Sequence, residues 1–297
     1  MPAASVLQRI LHPVTVDEFV LGYFQRRPLR LKRPRDKFDF LFRESDFPVN
    51  LDRVKHIRAV FPRNRQARIQ PSEIEQMYDA GATICVTGME QAHPRLHAAA
   101  ARVRAEMAYA GEITFRAYLS PPGSGFDLHF DARVATTLQI AGKKRWWYSK
   151  EPGVAFPMHN SGREPAGWPR TRPPARSELV EVVLEPGDVL CLPAGVWHCA
   201  KAEGKSMSLA LNMAFDHKGG GFLDFVTAIL QNRLVRDAAW RQPLPVHPGR
   251  KDRMPDPVAS MLRVRIEELQ AELAALLNNE AELTRAWRKA MRAMRSR

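Results

Sequence analysis

Cysteine is scarce in this chain. Cys85, Cys191 and Cys199 are its three in 297 residues, and no two stand at CxxC spacing. That argues against a disulfide framework and a cysteine-built zinc site, and it makes a reducing cytoplasm the expected compartment. Long apolar runs are missing too. Nothing approaches the roughly 18 consecutive apolar residues of a membrane helix, and MPAASVLQRILHPV lacks the apolar centre of a signal peptide, so neither is expected. Acidic residues are the third shortage. Asp and Glu number 32 against 45 Lys and Arg, a formal net charge of +13. The excess favours an acidic partner, whether nucleic acid, ribosome surface, anionic membrane, acidic peptide or small anion. It is concentrated in QRRPLRLKRPR (25–35) and in Arg285–Arg297, although such runs also serve simply as solvated surface. No segment has the pattern of a DNA-reading motif, so nucleic acid is not required as a partner.

What is present reads first as helix and then as sheet. Thr15 with Glu18 three residues on forms a capping box. Val16, Phe19, Val20 and Tyr23 follow at helical spacing until Pro28 stops them. Residues 71–81 and 93–110 predict two more helices, with ATICVTGM (82–89) a short strand between them. From Glu112 the texture changes. ITFRAYLS, ATTLQIAG, KRWWYSK, ELVEVVLE, DVLCLP and SMSLALNMAF are β-rich and separated by PPGSG, AGKK, EPGD, PAG and AEGK, the signature of an antiparallel sandwich or barrel. Glu151–Ser177 interrupts them with six prolines and no periodicity, predicting a long, lid-like loop. Gly219–Gly221 predicts a hinge, 222–240 a helix, and the last forty residues one long helix. Its heptad seam runs through Leu262, Ile266, Leu269, Leu273, Leu276, Glu280, Leu283 and Trp287. Such a seam packs on its own domain or pairs with a second copy.

The chemistry concentrates in DLHFDARVATTLQIAGKKRW (127–146). His129 and Asp131 lie two apart, on one face of an extended segment. After sixty-six intervening residues, His198 ends EPGDVLCLPAGVWH. Two imidazoles and a carboxylate are the facial ligand set of non-haem Fe(II), which leaves open positions for a co-substrate and dioxygen. Singly, the first two could be a surface pair and the third a structural histidine. Together, in a β-rich segment, they point to a metal site. Lys144, fifteen residues after His129, lies past the Ala141-Gly142 turn and can point back inward. A buried ammonium needs a partner, and the distal carboxylate of 2-oxoglutarate would be one. The alternative is that Lys143, Lys144 and Arg145 form a basic turn.

With these motifs, and with DEFVLGYFQRRPLRLKR and YLSPPGSGFDLHFDARVATTLQIAGKKRW, the chain resembles the JmjC/cupin-type Fe(II)- and 2-oxoglutarate-dependent oxygenases from about Val14 to Phe215. Within them it is most similar to the branch of the ribosomal oxygenases and their bacterial relatives. The resemblance implies a mainly β fold with flanking helices: a double-stranded β-helix (jelly-roll or cupin) core, helical N-terminal elements and a helical C-terminal extension. The expected boundaries are 1–80 for the N-terminal region, 81–217 for the core with its loop at 151–177, and 218–297 for a dimerising extension. It implies His129, Asp131 and His198 as iron ligands and catalytic residues, and Lys144 and Tyr118 on the distal carboxylate of 2-oxoglutarate. Asn212 would lie near the co-substrate. Arg116, two before Tyr118 and so on the same face, would touch substrate. Trp146, Trp147 and Trp197 are expected in the core.

The chain departs from the ribosomal oxygenases after the core, where too few residues remain for their winged-helix domain. That puts a ribosomal-protein substrate in doubt and leans towards the alternative, a small acidic molecule of a biosynthetic pathway, although the expected substrate is a peptide or protein side chain. A non-enzymatic cupin scaffold and a 2-oxoglutarate-independent cupin enzyme are further alternatives. A scaffold has no need of the triad and the lysine together, and the single aspartate with Lys144 tells against the other cupins.

Overall fold

The computed structural model describes residues 5–167, 171–216, 221–244 and 254–293. The chain divides into two units, residues 1–217 and 218–297.

The first unit is built on two antiparallel sheets. Its strands are β1 (Leu29–Leu31), β2 (His56–Phe61), β3 (Arg65–Ile69), β4 (Thr83–Thr87), β5 (Glu112–Ser120), β6 (Gly125–His129), β7 (Val134–Ala141), β8 (Lys143–Pro152), β9 (Val180–Leu184), β10 (Val189–Leu192), β11 (Val196–Glu203) and β12 (Ser208–Asp216). The larger sheet has the order β1-β10-β7-β12-β5-β4-β2-β3, and the smaller β6-β11-β8-β9. The strands cross between sheets as the chain advances, which is the jelly-roll arrangement.

Alternation along the strands explains both faces of the larger sheet. In ITFRAYLS, Phe115 and Ala117 are fully buried. They join Ile84, Val86, Leu211, Met213 and Phe215 in one hydrophobic cluster with Leu7, Ile10, Phe19 and Leu96 of the helical layer. The intervening residues, Thr114, Arg116, Tyr118 and Ser120, point the other way. Apolar side chains thus glue the sheet to its helices, and polar ones are left for the barrel interior. A smaller cluster around Tyr148, Val182, Leu184, Leu190, Leu192 and Val196 fills another part of the unit.

The capping box at Thr15 forms, starting the helix Val16–Gly22. The helix Pro94–Glu106 ends on Glu106, whose carboxylate accepts from Ser5 Oγ and from the Val6 and Leu7 amides. Negative charge is thereby placed on the first turn of the N-terminal helix, where the dipole favours it.

Two features of 1–80 differ from a mostly helical layer. β1 pairs with β10, and β2 and β3 extend the larger sheet past β4. Four of the five residues of β3 are exposed, as suits an edge strand, so its sequence carries little hydrophobic signal.

In the second unit, 222–240 is a helix only to Leu234, followed by the short Ala238–Arg241. The long C-terminal helix is two, Asp256–Leu277 and Glu280–Ala293. The break falls at Asn278-Asn279, poor helix formers, and the Asn279 side chain accepts from the Glu282 amide to start the second. Arg233 bonds Glu272 and Glu282, and Phe225 meets Trp287 edge-on. Much of the predicted seam stays uncovered within the unit, since Ile266 is 56% and Leu273 40% exposed while Leu276 is buried. Gly219 and Gly220 of the predicted hinge lie outside the described residues. No helix among the described residues is long and apolar enough to cross a membrane.

Candidate active site

His129, Asp131 and His198 converge. Each offers a ligand atom, and these atoms all lie within 4.8 Å of one another. His129 ends β6, and His198 sits opposite it in register on β11, with ring centroids 4.3 Å apart. Pairing of β11 shifts on both sides of His198, against β6 and against β8. Irregularities of this kind re-aim a side chain next to a functional site.

Both rings are oriented from the backbone. His129 Nδ1 lies 2.7 Å from the Asp127 carbonyl oxygen and His198 Nδ1 2.9 Å from that of Val196. A carbonyl can only accept, so each Nδ1 carries the proton and each Nε2 is left as a lone-pair donor. This is the usual outer support of a metal-bound histidine.

Asp131 accepts from Arg133 at 2.8 Å. Burial alone would raise its pKa, but Arg133, the two histidines and Arg116 outweigh it and hold the carboxyl below its ordinary range. His198 is pushed down to about 4, first by burial and then by His129. A neutral His198 and an ionised Asp131 are protonation states a divalent cation requires. The residues fit Fe(II).

A pH dependence follows for the metal-free protein. The folded pKa of His198 lies below its unfolded value of 6.5, so the unfolded chain binds that proton first. Stability should fall as pH drops from about 6.5 towards 4, by on the order of 3 kcal/mol in the limit. Asp131 adds a further loss only below the ordinary carboxylate range. Chemical unfolding midpoints between pH 7 and pH 4.5 measure the first loss, and bound metal, which keeps the folded imidazole unprotonated, should leave that loss in place.

The segment carrying the triad is stitched in place. The Gly195 amide donates to the Asp131 carbonyl at 2.9 Å. From the 151–177 loop, Asn160 Oδ1 accepts from the Ala132 amide and Ser161 Oγ from the Phe130 amide. The loop is therefore pinned at residues 160–161 to the strand end that carries His129 and Asp131, more fixed than a free lid. Gly195 has φ +83°, and a Cβ there would stand 1.8 Å from the Val154 carbonyl oxygen. Gly195→Ala should destabilise the fold by about 1–3 kcal/mol and weaken metal binding with it. Thermal unfolding with and without metal checks this.

His129, Asp131 and His198 line a cavity of about 470 Å³. Lys144 enters it from β8, 3% exposed. Its ammonium donates to Ser120 Oγ at 3.0 Å, and Ser120 meets Thr83 at 3.0 Å. Among the described residues no carboxylate pairs with it, and burial pushes its pKa down to about 8. The basic-turn alternative is excluded for Lys144, although Lys143 and Arg145 do lie outward in ion pairs with Glu185, Glu181 and Glu203.

Tyr118 lies beside Lys144, its ring centroid 5.9 Å from Nζ, and its hydroxyl neighbours Arg116. Burial pushes that hydroxyl up to about 12. Asn212 lines the cavity, 5% exposed, and donates to Thr137 Oγ1 at 3.0 Å. Arg116 faces the same space. Of the tryptophans, Trp147 and Trp197 are buried, whereas Trp146 lines the cavity and stacks on His198 at 5.9 Å. Sequence reasoning missed Ser120, Arg133, Arg58 and Asn160. Ser120 was within reach of the same alternation that placed Arg116 and Tyr118 inward. Arg58 and Asn160 depend on pairings distant in sequence.

Residues 92–218 match the family model of the JmjC domain. The Bacillus subtilis protein YxbC, uncharacterized, is 27% identical over 262 residues, which cover 80% of this chain and 78% of that protein. Ribosomal oxygenase 1 of Gallus gallus is 27% identical over 264 residues, 82% of this chain and 42% of that protein. The bifunctional lysine-specific demethylase and histidyl-hydroxylase NO66 of Aedes aegypti is 27% identical over 234 residues, 70% of this chain and 34% of that protein. This chain thus spans less than half the length of the latter two. Among solved structures, the Escherichia coli ribosomal oxygenase YcfD with cobalt and 2-oxoglutarate superposes with a TM-score of 0.60 at 15% identity, over 93% of this chain and 70% of that one.

Proposed function

We propose, from the match of residues 92–218 to the family model of the JmjC domain, that this chain is an Fe(II)- and 2-oxoglutarate-dependent oxygenase that hydroxylates a side chain of a peptide or protein. One observation carries the reading: the ligand atoms of His129, Asp131 and His198 converge within 4.8 Å in the cavity that also holds the buried, anion-lacking Lys144. The triad would hold Fe(II). Lys144 and Ser120 would bind the distal carboxylate of 2-oxoglutarate, with Tyr118 and Asn212 lining its path. When bound, the iron and 2-oxoglutarate supply dioxygen-dependent hydroxylation of a C–H bond, with succinate and carbon dioxide as co-products.

The protein's own residues do the rest. The Asp127 and Val196 carbonyls fix the imidazole tautomers, and Arg133 keeps Asp131 ionised. Trp146, Phe126 and Asn160–Arg163 line the cavity. Holding the target carbon close to the reactive centre is the main catalytic contribution open to the fold. The names of the ribosomal oxygenase and histidyl-hydroxylase relatives support a protein substrate. A free small acid remains the alternative, favoured by the basic cavity.

The uncovered apolar positions Ile266, Leu273 and Leu277 on the helix Asp256–Leu277 support a homodimer formed through the second unit. Sedimentation at micromolar concentration should give twice the chain mass, and Ile266→Glu with Leu273→Glu should return it to a monomer. Three free, buried cysteines suit a cytoplasmic protein. The function is tested by succinate release from 2-oxoglutarate under air with Fe(II). Slow turnover without substrate is expected from wild-type protein, and none from His198→Ala.

A further inference from the structure

The cavity holds more positive charge than the proposed chemistry uses. Its lining includes Arg58, Arg116, Arg133, Lys144 and Arg163, and one carboxylate, Asp131. Arg133 is committed to Asp131, and Lys144 to the co-substrate. Fe(II) and the two carboxylates of 2-oxoglutarate cancel one another, so loading the site leaves the surplus in place.

Arg58 and Arg116 are built into the wall. β2, β4 and β5 run side by side, with Arg58 level with Cys85 and Tyr118 and His56 level with Thr87 and Arg116. The two arginines therefore sit in adjacent rows of one sheet face. The Nε atoms of both are buried with no hydrogen-bond partner. Arg58 spends its other nitrogens on neutral atoms, Gln66 Oε1 at 2.6 Å and Cys85 Sγ at 3.4 Å. Arg116 lies beside the Tyr118 hydroxyl. The carboxylates nearest to it in electrostatic effect are Asp131 and Glu90. Asp131 is bonded to Arg133, Glu90 accepts from the Phe115 amide at 2.7 Å, and neither makes an ion pair with Arg116. His56 registers the same field, its pKa lowered by burial and then by Arg58, Arg116, Arg68 and Lys55.

The co-substrate end is elsewhere. Ser120, which receives Lys144, is four residues from Arg116 on the same face of β5, about 13 Å along the strand. Half-buried guanidinium groups whose Nε atoms are buried and unpaired, with no counter-charge, are costly, and a fork of N–H donors matches a carboxylate.

We propose that the substrate of this site is an anion whose carboxylate is held by Arg58 and Arg116, beside the carbon that is oxidised. The inference rests on the oxygenase reading and names its substrate class: an acidic side chain or a small acid, rather than a histidyl or basic one. Arg116 and Arg58 are specificity-determining residues in this account.

The test uses full-length protein loaded anaerobically with Fe(II) and 2-oxoglutarate and titrated calorimetrically with alanine-flanked pentapeptides whose central residue is Asp, Glu, Asn, Gln or His. N-acetyl-aspartate amide and N-acetyl-glutamate amide form a second arm. Acidic probes should bind at least about tenfold tighter than their amide isosteres or the histidyl peptide. Arg116→Gln should erase that discrimination, and Arg116→Lys should restore most of it. The 2-oxoglutarate needed to develop the visible charge-transfer band should change little in either variant. If the acetylated amino acids bind as tightly as the pentapeptides, the substrate is a small acid. If only the pentapeptides bind, it is a peptide. Either supports the proposal. Equal binding of acidic and neutral peptides, no binding by any acid, or discrimination unchanged in Arg116→Gln would overturn it. So would a large rise in the 2-oxoglutarate requirement of Arg116→Gln, which would assign Arg116 to the co-substrate. Failure of the band in wild-type protein, seen before any peptide is added, would overturn the oxygenase reading itself.

Discussion

Asp131→Ala is expected to weaken Fe(II) binding by more than about 100-fold, because losing an outer supporting group already costs 10- to 100-fold and Asp131 is a ligand. The substitution also strands the Arg133 guanidinium, which donates to Asp131 at 2.8 Å with both side chains about 15% exposed. Removing one partner of such a pair costs about 3 kcal/mol, and here Arg116 also faces the vacated position. The metal-free variant should therefore unfold at lower denaturant than metal-free wild type. Asp131→Asn keeps the shape and loses the charge, and it should show most of both effects. Calorimetric titration with Fe(II) under anaerobic conditions, and urea melts of the metal-free proteins, measure the two parts separately. A metal affinity within a few fold of wild type would mean that Asp131 serves Arg133 alone.

The second large effect has opposite signs in two measurements. Lys144 is buried and bonded to one neutral hydroxyl, and its pKa is pushed from 10.5 down to about 8. The unfolded chain holds that proton more tightly than the folded one, so below pH 8 the charge costs the fold on the order of 3 kcal/mol. That cost is recovered as pH rises from 8 towards 10.5. Lys144→Met removes the charge at similar volume. In the absence of 2-oxoglutarate it should leave the protein as stable as wild type or more stable by up to about 3 kcal/mol, and that gain should shrink at pH 10. The same substitution should weaken 2-oxoglutarate binding by about 2–5 kcal/mol, or roughly 30- to 4000-fold, because it strands a desolvated carboxylate. A structural lysine would show a stability loss and no change in 2-oxoglutarate affinity.

The parts of this site that could be read from the sequence are those written within a short span. His129, Asp131 and Lys144 lie within sixteen residues, and the EPGD and PAG turns announce the strand that brings in His198. Alternation along ITFRAYLS was enough to turn Arg116 and Tyr118 inward. What stayed hidden depends on register between distant segments. β2 and β3 carry charged residues and weak apolar signal because β3 is an edge, so Arg58 had no visible route into the cavity until β2 paired with β4. Asn160 and Ser161 belong to a segment without periodicity, and their role comes from two amides of the HxD strand end. The predicted long C-terminal helix failed for a local reason: the seam continues past Asn278-Asn279, but the backbone does not. A heptad pattern reports which face is apolar, not whether one helix carries it.

The measurement that bears most directly on the whole account is an anaerobic titration of the metal-free protein with Fe(II) and then 2-oxoglutarate, followed by visible absorbance, with His129→Ala and Lys144→Met alongside. The account predicts a weak charge-transfer band in wild-type protein at one equivalent of iron. It predicts no band in His129→Ala, and a band in Lys144→Met only at much higher 2-oxoglutarate. Stoichiometric iron binding by wild-type protein without any band at saturating 2-oxoglutarate would contradict it.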